Sequence, residues 1–189
     1  MKQTTSTKTL VTYALLTAIV AVLQLLGSFI HFGPFSISLV LMPIVIGGAL
    51  CGPIAGAWLG FVFSVMVLFM DSSAFMAVSV LGTVLTVIAK GTLAGYLSGL
   101  VYTLLKEKNE TLATFTAAFV CPVVNTGIFL LGCKLFFMPQ ISEWAQGLGF
   151  ENAAKYLIFG MVGGNFLFEL VINMVLSPVI VRLVKMGKK

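Results

Sequence analysis

Charge is nearly absent from the first half of this chain. Between Lys8 and Lys106 only Asp71 and Lys90 are charged. Over all 189 residues the charged fraction is 9%, where a soluble domain carries about 25%. Hydrophobic residues make up 59% and the mean hydropathy is +1.11. That leaves too little polar surface to cover a water-soluble globule. Histidine occurs once, as His31. There is no Walker A sequence, no Ser-His pair on facing helices and no metal-ligand spacing, so no enzyme, cofactor or metal site is expected. The three cysteines, Cys51, Cys121 and Cys133, are odd in number and lie in apolar runs. They read as small core residues without a disulfide. The net charge of +5 forms no aromatic-interleaved basic patch, which argues against nucleic acid.

What the chain does have is long apolar runs. A span needs about 20 residues, so about six or seven crossings fit. Six apolar segments are predicted, over 10–30, 37–51, 54–70, 78–105, 112–136 and 156–184. Gly33-Pro34, Gly52-Pro53, Asp71-Ser72-Ser73 and the charged Lys106–Glu110 stretch separate them. A longer semi-polar stretch, Met138 to Lys155, holds Trp144 as an outer loop. The run from Leu10 to Ile30 exceeds a signal-peptide core and reads as an uncleaved first span. Backbone groups cannot stay unpaired in lipid, so the segments are helices. The expected fold is an all-α membrane protein: one domain over 1–189, a compact bundle of six transmembrane helices. Orientation follows from Lys and Arg. With the N-terminus inside, eight of these residues face inward and only Lys134 and Lys155 outward, which places both termini in the cytoplasm.

Small residues at four-residue spacing predict helix packing. Gly91, Gly95 and Gly99 recur on the fourth segment, and Gly56, Gly60 and Ser64 on the third. Both sets are expected to pack inside the subunit. Ala14, Ala18 and Ala21 form a similar face on the first segment, which suits either internal packing or a partner.

Two polar stripes stand out. Ser79, Thr83, Thr86 and Lys90 share one face of the fourth segment, and Asn165, Glu169 and Asn173 share one face of the sixth. Counted from the outer ends, Lys90 lies about 18 Å and Glu169 about 20 Å deep. A lysine there costs about 2.5–3.5 kcal/mol on insertion scales. Mutual neutralisation of Lys90 and Glu169 is one account. However, a buried ion pair is often no more stabilising than an apolar isostere, whereas ionisable residues in spans usually mark substrate or ion paths. With Asn125 joining from the fifth segment, the stripes suit a cavity open to the outside and closed at the midplane. Phe32, Phe35 and Trp144 fit as a lid over it, although Trp144 serves equally well as an interfacial anchor.

The pattern resembles the substrate-binding S component of energy-coupling factor (ECF) vitamin transporters. The features that carry the resemblance are the chain length, six helices, a polar outer half built from the last three helices, Ala14-Leu15-Leu16-Thr17-Ala18, and the junction Leu41 to Gly56 with its Gly52-Pro53-Ile54-Ala55-Gly56 turn. The resemblance implies a cell-membrane subunit that binds a water-soluble vitamin from outside. Lys90, Thr86, Thr83, Asn125, Asn165, Glu169, Phe35 and Trp144 are the candidate substrate contacts. It also implies that Ala14 and Ala18 dock on a transmembrane coupling subunit, that two cytoplasmic ATPases drive the cycle, and that the S component tilts in the membrane. Lys90 favours a carboxylate ligand such as pantothenate. If Glu169 neutralises Lys90, a neutral ligand such as riboflavin is as reasonable. Two other classes compete: a self-sufficient carrier or channel relaying protons or ions through Lys90 and Glu169, and a membrane scaffold without a cavity.

Overall fold

The computed structural model describes residues 7–29, 31–32, 35–36 and 39–187. Gly33, Pro34, Ile37, Ser38 and the terminal Lys2, Lys188 and Lys189 lie outside them. Helix α1 covers Thr7–Gly27. A short antiparallel ladder follows, β1 (His31–Phe32) on β2 (Phe35–Ser36), with Phe32 opposite Phe35. Then come α2 (Leu41–Cys51), α3 (Pro53–Met70), α4 (Ser73–Val78) and α5 (Val80–Leu105). Helix α6 (Glu110–Gly132) runs through a π-helical segment, Cys133–Phe137, directly into α7 (Met138–Gly147). A single turn, α8 (Ala153–Lys155), opens into a second π-helical segment, Tyr156–Val162, and then α9 (Gly163–Gly187).

Five of the resulting helices are long and apolar enough to cross a membrane: Thr9–Gly27, Pro53–Met70, Val80–Leu105, Glu110–Gly147 and Ala153–Ile180. The second predicted segment differs. Its helix begins at Leu41, and 11 residues span about 16 Å, well short of a hydrocarbon core of about 30 Å. Nearly all of α2 is buried inside the bundle, so protein surrounds it and no full-length apolar surface is needed. The stretch Met138–Gly147 is helix rather than loop. Pro139 falls at its first turn, where a missing N–H costs nothing, and Ile141 and Ala145 bury one side of it.

Glycine decides how the bundle closes. A Cβ on Gly56 would overlap the carbonyl oxygen of Gly95, and one on Gly95 would overlap that of Gly56. Gly60 and Gly91 repeat the arrangement one turn further along. On the other flank of α5 a Cβ at Gly48 would sit 3.0 Å from the Gly99 Cα. Helices α2, α3 and α5 therefore meet backbone to backbone, as the small-residue spacing predicts, and α3 and α5 share the largest interface in the fold. Helix α6 packs on the other side of α5. The buried Ser98 hydroxyl donates to the Ala117 carbonyl at 3.1 Å, and the Tyr102 hydroxyl donates to Glu110 Oε1 at 3.1 Å. Asn109 caps α6 by accepting from the Leu112 N–H at 3.0 Å.

Helix α1 sits against α2 and α3. Two side-chain bonds fasten it: Trp58 Nε1–H donates to Thr17 Oγ1 at 3.2 Å, and Gln24 Nε2–H donates to Asp71 Oδ2 at 2.8 Å. Ala14 and Ala18 are exposed, so they do not pack inside this chain, while Ala21 is half-buried. Cys121 and Cys133 are buried, Cys51 is half-buried, and all three are free thiols.

The seam gives a stability prediction. Gly95→Ala is expected to destabilise the detergent-solubilised chain by about 1–3 kcal/mol through overpacking. Gly127, with nothing within 4 Å of its would-be Cβ, should tolerate Ala without loss. Thermal-unfolding midpoints compare the two, and equal midpoints would refute the close helix contact.

Candidate functional site

The polar faces of α5, α6 and α9 meet in one chamber. From α5 come Thr83, Thr86 and Lys90, from α6 Asn125 and Thr126, and from α9 Asn165 and Glu169. Every polar residue expected from the last three helices to touch a ligand is thus brought together. The chamber encloses about 80 Å³, and about 750 Å³ when its open mouth is counted.

Local sequence explains how each side chain arrives there. On α5 the glycines occupy one face and Thr83, Thr86 and Lys90 the adjoining one, so the seam with α3 turns the polar residues toward α6 and α9. Ser79, the outermost member of that stripe, is the N-cap of α5, accepting from the Gly82 N–H at 3.2 Å. Thr83 donates to the Ser79 carbonyl at 2.7 Å. Thr86 packs onto Gly132, where any Cβ would overlap its hydroxyl. On α9 the inner end of the stripe turns away from the chamber: Asn173 is buried and its Nδ2–H donates to the Glu169 carbonyl at 2.8 Å.

Lys90 is half-buried and its side chain lines the chamber. Its ammonium lies 5.3 Å from the ring centre of Phe129 and 5.8 Å from that of Phe63, within cation–π range of both. Two carboxylates, Glu169 and Asp71, line the same chamber. The cation therefore rests between aromatic faces and opposite charges, which offsets the cost of placing it at that depth. Asp71 is the site residue that segment counting assigns only to an outer loop. It caps the C-terminus of α3, and the fully buried Gln24 of α1 holds one of its oxygens. The available signal was its rarity, as the one acid in the first hundred residues.

Two buried polar atoms on the chamber wall, Asn125 Oδ1 and Thr86 Oγ1, have no hydrogen-bond partner among the described residues. A buried acceptor or donor left unpaired costs about 1–3 kcal/mol, so a ligand that pairs with these two atoms would recover that cost.

One rim of the chamber is aromatic. Phe75 of α4 stands edge-on to Phe137 at 5.0 Å, Trp144 at 5.5 Å and Phe129 at 5.7 Å. Nothing in the six-segment reading singled out these phenylalanines, because a Phe among apolar neighbours has no distinguishing pattern. Beyond Phe75 lies a second, open cavity of about 460 Å³, lined by Trp144, Glu143 and Tyr156 among others. Asp71, Phe75 and Met161 border both spaces. Trp144 thus faces the outer space rather than the chamber holding Lys90. Phe35 lies on β2, and its side chain is outside the described part of the structure. The two π-helical segments contribute Phe137, Met161 and Val162 to the chamber wall, and the second also borders the other cavity through Tyr156 and Met161. π turns often occur at functional sites.

A site of this kind can hold a small polar molecule: it has donors, acceptors, both signs of charge and an aromatic rim. No curated protein matches the chain significantly. A family model described as ECF transporter, substrate-specific component, matches residues 8–181. The chain accordingly belongs to the family of ECF transporter substrate-specific components, membrane-embedded subunits that cross the bilayer several times.

Proposed function

We propose that this chain is the substrate-specificity subunit of an ECF-type importer in the cell membrane. It captures a water-soluble vitamin from outside in the chamber between α5, α6 and α9. A transmembrane coupling subunit and two cytoplasmic ATPases then drive uptake. In this reading both termini are cytoplasmic, and α2 completes a six-helix bundle as a buried sixth member. One observation carries the reading: Lys90, Thr86, Thr83, Asn125, Asn165 and Glu169, drawn from three helices, share one chamber in a member of a substrate-binding family. Lys90 is the feature that favours a pantothenate-like carboxylate. The two carboxylates sharing its chamber favour a neutral ligand such as riboflavin.

The docking surface is the outward face of α1. Ala14 and Ala18 are exposed, and small side chains let a partner helix approach closely. Trp58 of α3, bonded to Thr17, is 49% exposed on the same flank.

Reconstitution tests the function directly. The purified chain alone in vesicles should bind vitamin but accumulate none. Uptake should begin only when the coupling subunit, the ATPases and ATP are added. Ion-gradient-driven uptake by the chain alone would instead establish a self-sufficient carrier. Lys90→Met should weaken binding of the captured vitamin at least tenfold by calorimetry, and an unchanged Kd would remove Lys90 from the site. Ala14→Trp combined with Ala18→Trp is expected to leave binding intact while stopping reconstituted transport. Loss of binding in that variant would show that the face supports the fold instead of a partner.

A further inference from the structure

We infer that the second cavity, beside Phe75, is a separate binding site for a small alkylated ammonium ion. The inference goes beyond the importer reading, which places the captured vitamin in the chamber between α5, α6 and α9.

Charge sets the sign of the occupant. Asp71 and Glu143 line this cavity, and no lysine or arginine does. Each acid spends one oxygen on a neutral neighbour. Gln24 Nε2–H donates to Asp71 Oδ2 at 2.8 Å, and Gln140 Nε2–H donates to Glu143 Oε2 at 2.9 Å. The second oxygen of each accepts no hydrogen bond among the described residues, and neither acid forms an ion pair with a cation among them. Lys90 reaches Asp71 only from the chamber and lines no part of this cavity. Two carboxylates in a cleft with apolar walls concentrate positive charge there.

Aromatic rings set its kind. Phe75 and Trp144, both in the wall, stand at 89° with ring centres 5.5 Å apart, and the buried Tyr156 adds a third ring. Perpendicular rings make a corner, and a ring face attracts a cation within about 6 Å of its centre. Aromatic cages of this type hold quaternary ammonium groups. The methyl groups of such an ion also gain from leaving water for an apolar wall, here supplied by Leu148 and Met161. A bare metal cation would gain nothing from those carbons, and an anion would meet two carboxylates. The cavity, about 460 Å³ and open, admits a small organic cation without rearrangement.

The test titrates the intact purified chain, in a maltoside detergent, with choline and with its neutral carbon analogue, in which a tert-butyl group replaces the trimethylammonium. Tryptophan fluorescence and calorimetry report binding. Choline is expected to bind at least tenfold more tightly than the analogue. Glu143 is exposed, so Glu143→Gln spares the fold and should weaken choline at least threefold. Gly147 lines the cavity with nothing within 4 Å of its would-be Cβ. Gly147→Trp should therefore fill the cavity and abolish choline binding without lowering the thermal midpoint. Glycerophosphocholine should bind more weakly than choline, because its phosphate meets the two acids; equal or tighter binding would keep the ammonium site and make a lipid headgroup its source. The two solutes on the unaltered chain decide the matter even where a variant folds poorly. Equal affinity for choline and the analogue, or no binding of choline, would overturn the inference. Choline binding that survives both Glu143→Gln and Gly147→Trp would also overturn it. None of these outcomes touches the importer reading, which reconstituted uptake decides separately.

Discussion

Two helices can bring their backbones into contact only where neither carries a Cβ, and α3 and α5 do so at Gly56, Gly60, Gly91 and Gly95. Much else follows from that contact. In lipid there is no hydrophobic force between helices, so close van der Waals packing has to hold them. Once the glycine face of α5 is spent on α3, the face about a quarter-turn to a third of a turn away must meet α6 and α9. That face carries Thr83, Thr86 and Lys90. A substitution on the seam would therefore act on the chamber as well as on stability, by rotating or lifting the helix that forms its floor.

The chamber lies between two apolar clusters. One gathers Leu41, Ile44, Leu59, Phe63 and their neighbours, and the other gathers Phe75, Phe137, Ile141 and Met161. Polar groups placed between such clusters are screened little by solvent, so each charge there matters more than at a surface. Lys90 meets this with two ring faces and two carboxylates. The outer cluster is thinner and contains both π-helical segments and the short α4. The glycine seam and the irregular, aromatic part thus lie on different sides of the chamber.

Much of this was legible in the residues. Helical segments declared themselves by apolar length, and the seam by glycines spaced at four. Lys90 and Glu169 were conspicuous because charge is so rare. Helix ends were less clear. Ser79 reads as the top of a polar stripe, yet its hydroxyl caps α5. Met138–Gly147 looks like a loop because Pro139, Gln140, Ser142, Glu143 and Gln146 dilute its apolar face, although burial of Ile141 and Ala145 is enough to hold it helical. The length of α2 was hidden because an apolar run does not say whether lipid or protein surrounds it. The aromatic rim depends on α4 and α7 folding over the bundle, a tertiary event that no local pattern encodes.

Helix α1 is where the two ends of the proposed mechanism come nearest to each other. Its outward face holds Ala14 and Ala18, and its inward face holds Gln24, hydrogen-bonded to Asp71 in the chamber wall. A single hydrogen bond transmits nothing unless it belongs to an element with two alternative arrangements. The glycine seam holds α3 and α5 backbone to backbone, and the structure shows one arrangement of it. An internal relay from the docking face through Gln24 to the chamber therefore has no bistable part to act on. Motion of the whole subunit against its partner requires none. The close packing of α2, α3 and α5 is compatible with the proposed movement of the subunit as one body.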